Sequence, residues 1–243
     1  MNRAALEHIL RAAAAIADER DFVVIGSQAV LGQFPHAPDV LLVSIDADIY
    51  PRQAPAKSEL IDGAIGELSM FHLTFGYYAH GVDETTATLP SGWSDRLVPL
   101  SNANTGGATG WCLEVHDLAV SKLVAGREKD LDFVRVLVRE RMVDPALLEE
   151  RVTMLSDVGG VRDFVRSRLA QVLRSPSEVR LASAPMHRSS APFNIVVVFI
   201  FTSDWTIGRI RGLRATAAAG WDHNARSRTR PAQGSPRRRR AAL

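Results

Sequence analysis

The sequence predicts an α/β or α+β body with a helical C-terminal portion and a disordered basic tail. Three observations carry that prediction. Short apolar runs bounded by turn residues are interleaved with segments of helical spacing through residue 115, the pattern of a sheet covered by helices. From residue 116 to about residue 174 the apolar spacing is helical. Beyond about residue 184 the composition shifts: residues 188–243 hold 11 Arg against two Asp, no lysine follows Lys129, and no glutamate follows Glu178.

The elements follow in order. Leu6, Ile9, Leu10, Ala13, Ile16 and Ala17 have helical spacing and predict a helix over 3–20. FVVIG (22–26) predicts a short buried strand, with Gly26-Ser27 turning into a helix that carries Ala29, Val30 and Leu31. VLLVSIDADIY (40–50) reads as the second strand, 56–68 as a helix, and the aromatic MFHLTFGYY (70–78) as strand-like. The segment 79–110 is turn-rich, with RLVPL as a short strand, and WCLEV (111–115) is another strand candidate. HDLAVSKLVAG (116–126) reads as a helix closed by a glycine C-cap. Phe133, Val134, Leu137 and Val138 mark the next helix. Asp144-Pro145 predicts an N-cap followed by proline at the first helical position. Val161 to Leu173 form the last helix, and NIVVVFIF (194–201) is either a strand or an orphan apolar patch.

Composition narrows the function classes. The 243 residues are 46% hydrophobic, typical of a globular protein with a core. One cysteine, Cys112, excludes an intrachain disulfide and a multi-cysteine zinc site. No signal peptide or membrane-spanning run is visible, so the expected location is cytoplasmic, with no membrane partner. The net charge of +2 conceals an acidic body and an arginine-rich tail. The expected division is therefore a domain at 1–183 and a low-complexity tail at 184–243. The shift at the tail resembles GC-rich sequence translated out of frame, which reading the underlying gene would test.

The chemistry centres on Asp46 and Asp48. Residues i and i+2 of a strand face the same side, so the two carboxylates are expected to point together. Like charges so placed raise each other's pKa unless a cation lies between them, and a hard divalent ion is the common solution. Upstream, Gly26 permits a tight turn, and the following amides and the Ser27 hydroxyl suit phosphate oxygens. Downstream, Lys122 is set among apolar helix neighbours, and Lys129-Asp130-Leu131-Asp132 opens another helix. Each piece has a structural reading as well: an ordinary turn, an acidic strand end, a snorkelling lysine, a helix-dipole partner. His72, His80 and His116 show no metal-ligand spacing and read as structural.

In this order, Gly26-Ser27, Ser44-x-Asp46-x-Asp48, Lys122-Leu123 and Lys129-Asp130 resemble the motifs of minimal DNA-polymerase-β-like nucleotidyltransferases. DLAVSKLVAGREKDLDF (117–133) is similar to the AbiEii- and MenT-type toxin group, and the match spans roughly 22–140. One departure is that 18 residues separate Ser27 from Asp46, more than in the shortest members. The resemblance implies a small mixed sheet and Mg²⁺ or Mn²⁺ on Asp46 and Asp48. It implies an NTP held by Gly26, Ser27, Ser44 and Lys122, and Asp130 as base or substrate-orienting carboxylate, with Asp132 as runner-up. A third metal carboxylate is expected at Glu114, with Asp83 second. The implied acceptor is RNA, tRNA in particular, or a small molecule, and the implied partner is a cognate antitoxin. Two rival readings stand beside it: a non-catalytic nucleic-acid binder acting through the arginine tail, and a degenerate nucleotidyltransferase kept for partner binding.

Overall fold

Strand β1 (Asp21–Ile25) lies at the centre of a five-stranded mixed sheet of order β3-β2-β1-β5-β4. Its neighbours are β2 (Asp46–Pro51), antiparallel, and β5 (Thr109–Cys112), parallel. β3 (Tyr78–Gly81) runs parallel to β2, and β4 (Val98–Leu100) antiparallel to β5. The computed structural model describes residues 1–174. The NIVVVFIF run, expected as a strand or an orphan apolar patch, and the tail at 184–243 lie outside the described residues.

The central position of β1 explains its composition. Phe22, Val23, Val24 and Ile25 are all buried because strands flank it and helices cover it. Helix α1 (Arg3–Ala17) buries Leu6, Ile9, Leu10 and Ala13, and the Asn2 side chain caps its start by accepting from the Ala5 amide. After β1, a 3₁₀ turn (Ser27–Ala29) leads into the one-turn α2 (Val30–Gln33). Helices α3 (Ser58–Ile65) and α4 (Met70–Phe75) precede β3. The C-terminal half is α5 (Val115–Ala125), α6 (Glu128–Arg139), α7 (Pro145–Thr153) and α8 (Val161–Leu173), which pack on one another. Asp144 caps α7 ahead of Pro145 as expected, accepting from the Ala146 amide. Among the described residues, no helix is long and apolar enough to cross a membrane.

Two expected strands fold otherwise. The run VLLVSI does not extend: Asp39–Leu41 is a 3₁₀ turn, and pairing begins only at Asp46. An apolar run becomes strand only where a neighbouring strand can pair with it and bury it. Here Val43 is 77% exposed, and both partners of β2 begin opposite the aspartates or beyond them. MFHLTFGYY divides into helix and strand. The Ser69 hydroxyl accepts from the His72 amide to start α4, and Gly76 closes it in the left-handed conformation. Only Tyr78 and the residues after it then pair with β2.

The junction between α5 and α6 sets up the site. Gly126, at φ +63°, terminates α5 with its amide donating to the Lys122 carbonyl. Arg168 from α8 covers the same end, donating to the carbonyls of Leu123 and Val124 at 2.7 and 2.8 Å. A Cβ at residue 126 would lie 1.9 Å from the Arg168 guanidinium carbon. Gly126→Ala is therefore expected to lower the unfolding free energy by about 1–3 kcal/mol, from the left-handed backbone and the displaced arginine. Urea denaturation monitored by circular dichroism checks this; an unchanged midpoint contradicts it.

Candidate active site

The first two residues of interest lie at the start of β2 rather than at the end of a longer strand. Asp46 and Asp48 share a face, and their carboxylates converge with His80 of β3. Ligand atoms of the three all lie within 4.8 Å of one another. The parallel β2–β3 register sets Asp48 opposite His80, whose Nδ1 is 3.0 Å from Asp48 Oδ1. Ser44 donates its hydroxyl to Asp46 Oδ1, while its carbonyl accepts from Gln28 Nε2 at 3.1 Å. The antiparallel β1–β2 register carries Asp48 to Ile25, directly beside Gly26.

Gly26 answers to that proximity. Its φ is +68°, and a Cβ there would lie 2.1 Å from Asp48 Oδ2. No side chain fits between the turn and the carboxylate, so the glycine serves both the turn and the approach of Asp48. Burial pushes the Asp48 carboxyl above the 3.8 of an ordinary aspartate, and the Asp46 charge adds to the rise. His80 and Lys122 oppose it.

Across from Asp48 stands a pair of cations. Lys122 Nζ lies 3.2 Å from Asp130 Oδ1, and Arg127 Nε donates to Asp130 Oδ2 at 2.5 Å. Asp130 is 1% exposed. Burial raises its carboxyl pKa, but Arg127 and Lys122 more than offset that, and the group sits below the usual aspartate range. Asp130 thus meets Lys122 across the Gly126 turn. With both oxygens committed to cations, it is placed to fix Lys122 and Arg127 rather than to take a proton from an acceptor.

Two clefts open beside these groups. The first, ≈ 200 Å³, is lined by Gly26, Asp48, Thr86, Thr88, Ser121, Lys122 and Arg127. The second, ≈ 340 Å³, is lined by Ser27, Ser44, Asp130 and Asp132 with Val40, Val43 and Phe133. The residues expected to hold a triphosphate are therefore divided: Gly26 and Lys122 face one cleft, Ser27 and Ser44 the other. Asp130 links them, since it lines the second and holds the cations of the first. Asp132 is an exposed neighbour paired with Arg135.

Neither residue expected as a third metal carboxylate lies with the aspartate pair. Glu114 lies past the end of β5 and caps α5, accepting from the amides of His116 and Asp117 at 2.9 and 3.3 Å. Its other oxygen pairs with His116 Nδ1 at 2.7 Å. Asp83 caps a 3₁₀ turn, accepting from the Thr85 amide and hydroxyl. Both carboxylates are taken up locally, and neither joins the aspartate pair.

Of the three histidines expected to be structural, two are taken up in local contacts. His116 bridges Glu114 and the Asp144 amide, and His72 accepts from the Leu68 amide. His80 instead faces the aspartates. Spacing along the chain does not reveal this, because the partner of His80 is set by strand register. The signal that would have exposed it is Ser69 with Gly76, the two caps that shorten the aromatic run and leave YAHG as the strand. Thr86, Thr88 and Ser121 also line the first cleft, and isolated hydroxyls in a turn-rich segment and on a helix carry no motif in the sequence.

Two oxygen donors and a nitrogen donor on one side, and two fixed cations on the other, form a set able to hold a divalent ion and face phosphate oxygens. Comparison with known proteins gives the family. A model of the family "Nucleotidyltransferase of unknown function (DUF6036)" matches residues 4–165, well over half of the chain, and the chain belongs to that family. It is a nucleotidyltransferase, an enzyme that transfers nucleotides. No curated protein and no solved structure matches it.

Half-buried Asp48 and buried Asp130 are expected to respond oppositely to neutralisation. Asp48 has a folded-state pKa raised above its unfolded value, so its charge opposes folding at neutral pH, and the penalty is relieved as pH falls through the folded pKa. Asp130 is depressed, so its contribution is present above the unfolded pKa and lost as pH falls through the folded one. At pH 7 with chelator present, Asp48→Asn is expected to stabilise the fold by up to about 1 kcal/mol. Asp130→Asn is expected to destabilise it by about 2–4 kcal/mol, because Lys122 keeps a poorly solvated charge. Thermal unfolding of the two variants checks the opposite signs; shifts of the same sign contradict the assignment.

Proposed function

We propose that this nucleotidyltransferase is metal-dependent and transfers a nucleoside monophosphate from an NTP to an RNA acceptor. The observation that carries the reading is the meeting of Asp48 with the Gly26 turn and the Lys122–Arg127 pair around one cleft, with Asp46 beside Asp48 on the same strand face.

The residues suit a divalent ion on structural grounds. Three donors converge within 4.8 Å, and Gly26 leaves room for Asp48 Oδ2 where any Cβ would collide. Asp46 and Asp48 are the residues that hold the ion, Mg²⁺ or Mn²⁺. When bound, it supplies charge neutralisation for the attacking and leaving oxygens of an in-line displacement at the α-phosphorus. Ser44 orients Asp46 through its hydroxyl. Lys122 and Arg127 face the phosphate oxygens and offset the negative charge that builds on the departing pyrophosphate. Asp130 keeps both cations aimed, so no rotamer search accompanies each turnover. Thr86, Thr88 and Ser121 offer hydroxyls to the same cleft, and Ser27 offers one to its neighbour.

The acceptor rests on the likeness of residues 117–133 to the AbiEii- and MenT-type toxins, which modify RNA. On that likeness the protein acts as the toxin of a toxin–antitoxin pair and has a cognate antitoxin as partner. The test is incubation with each labelled NTP and total cellular RNA in Mg²⁺ or Mn²⁺. Label is expected in RNA with a preference for one NTP. Label appearing only in a small molecule or a protein would leave the transfer reading standing and overturn the RNA acceptor. A transfer rate unchanged in Asp48→Asn would overturn the site itself. Asp46→Asn and Asp48→Asn are each expected to reduce turnover on the order of a hundredfold or more, the rate equivalent of a few kcal/mol of charge stabilisation. Lys122→Ala is expected to act mainly on the KM for NTP, by roughly tenfold, because it binds phosphate in the ground state as well.

A further inference from the structure

We infer that His80 is a third donor to the divalent ion held by Asp46 and Asp48, and that it biases the site toward Mn²⁺ over Mg²⁺. The inference rests on the metal-dependent reading above and goes beyond it by assigning a residue and a cation preference.

The geometry is that of ligands on one ion. Adjacent ligands of an octahedral ion with bonds of about 2.1 Å lie about 3.0 Å apart, and opposite ones about 4.2 Å. His80 Nδ1 and Asp48 Oδ1 are 3.0 Å apart, the spacing of adjacent ligands, and one ligand atom from each of the three residues lies within 4.8 Å of the others, so a side-chain shift of less than about 1 Å brings the set onto one ion. The register of two paired strands fixes His80 opposite Asp48, so the imidazole is held there by backbone hydrogen bonds rather than by a mobile loop. Its side chain is 55% exposed, which leaves an entry path for a hydrated ion. Glu114 and Asp83, the carboxylates that would complete an all-oxygen set, are both engaged as helix caps.

Donor chemistry supplies the preference. Mg²⁺ takes hard oxygen ligands and keeps its waters, so an imidazole adds little to its binding. Mn²⁺ shares the preference of Mg²⁺ for carboxylate oxygen, but as a transition ion it is softer and also binds imidazole nitrogen, which Mg²⁺ scarcely does. A site of two carboxylates and one imidazole therefore separates the two cations through His80 alone.

The test uses the full chain and the two ions themselves. Mn²⁺ and Mg²⁺ are titrated calorimetrically into wild type, His80→Ala, His80→Asp and Asp48→Asn, and the Mn²⁺ samples are read by pulsed EPR for nitrogen coupling. Wild type is expected to bind Mn²⁺ more tightly than Mg²⁺ and to show an imidazole nitrogen on Mn²⁺. His80→Ala is expected to lose that nitrogen signal and on the order of tenfold in Mn²⁺ affinity, with Mg²⁺ affinity changed less than about threefold. His80→Asp is expected to lose the signal while binding Mg²⁺ at least as well as wild type. If Asp48→Asn abolishes binding but His80→Ala keeps the Mn²⁺ affinity, or wild type shows no nitrogen coupling, His80 is only a hydrogen-bond partner and the inference falls while the metal site stands. If Asp48→Asn binds both ions as wild type does, the metal reading and the inference fall together.

Discussion

Two carboxylates on one strand face repel each other, and the surroundings of β2 are arranged around that repulsion. Asp48 is pressed against a turn that only glycine can make, with its carboxyl raised by burial and by Asp46. Ser44 and His80 each engage one of the two acids. Lys122 and Arg127 stand nearby but are already tied to Asp130. A protein selected for stability alone would replace one of these acids. Retaining both, at the start of β2, is the sort of local cost that functional sites carry.

The support for this site is layered. β1 is buried on all sides, so the position of Ile25 and the Gly26 turn is fixed by the core. Asp48 inherits its place from the pairing of β2 with β1, and His80 from the pairing of β3 with β2. On the other side, the end of α5 is set by Gly126 and by Arg168, and α6 begins immediately afterwards. That short connection is what allows Asp130, from the first turn of α6, to hold Lys122 from the last turn of α5. The nearly complete burial of Asp130 makes the pair a structural ion pair whose product is two cations of fixed direction.

Among the described residues, Asp48 supplies the one carboxylate that lines the first cleft, whose other polar walls are the cations Lys122 and Arg127 and three hydroxyls. Thr86 and Thr88 come from a connection between β3 and β4, and Ser121 from the helix that bears Lys122. The second cleft, with Val40, Val43 and Phe133 facing Ser27 and Asp132, is more apolar in its walls. The apolar run before Asp46 therefore has a use that a buried strand would not have given it: its side chains border an opening next to the acids.

The sequence by itself determined the parts of the site that obey local rules. The i, i+2 alternation of a strand put Asp46 and Asp48 on one face. Gly26 and Gly126 marked a turn and a helix end because only glycine takes those conformations readily, and Asp144-Pro145 marked a helix start. The alternation of strand and helix patterns was enough for the mixed α/β class. What tertiary structure alone decided was every relation between distant segments. Whether VLLVSI would pair depended on where its neighbouring strands begin, and whether MFHLTFGYY would extend depended on two caps. Whether Glu114 would face the acids or cap its own helix depended on where β5 stops. His80 and Asp130 joined the site through strand register and helix packing, which one-dimensional spacing does not encode, because side-chain partners across a sheet are chosen by burial and backbone pairing rather than by distance along the chain.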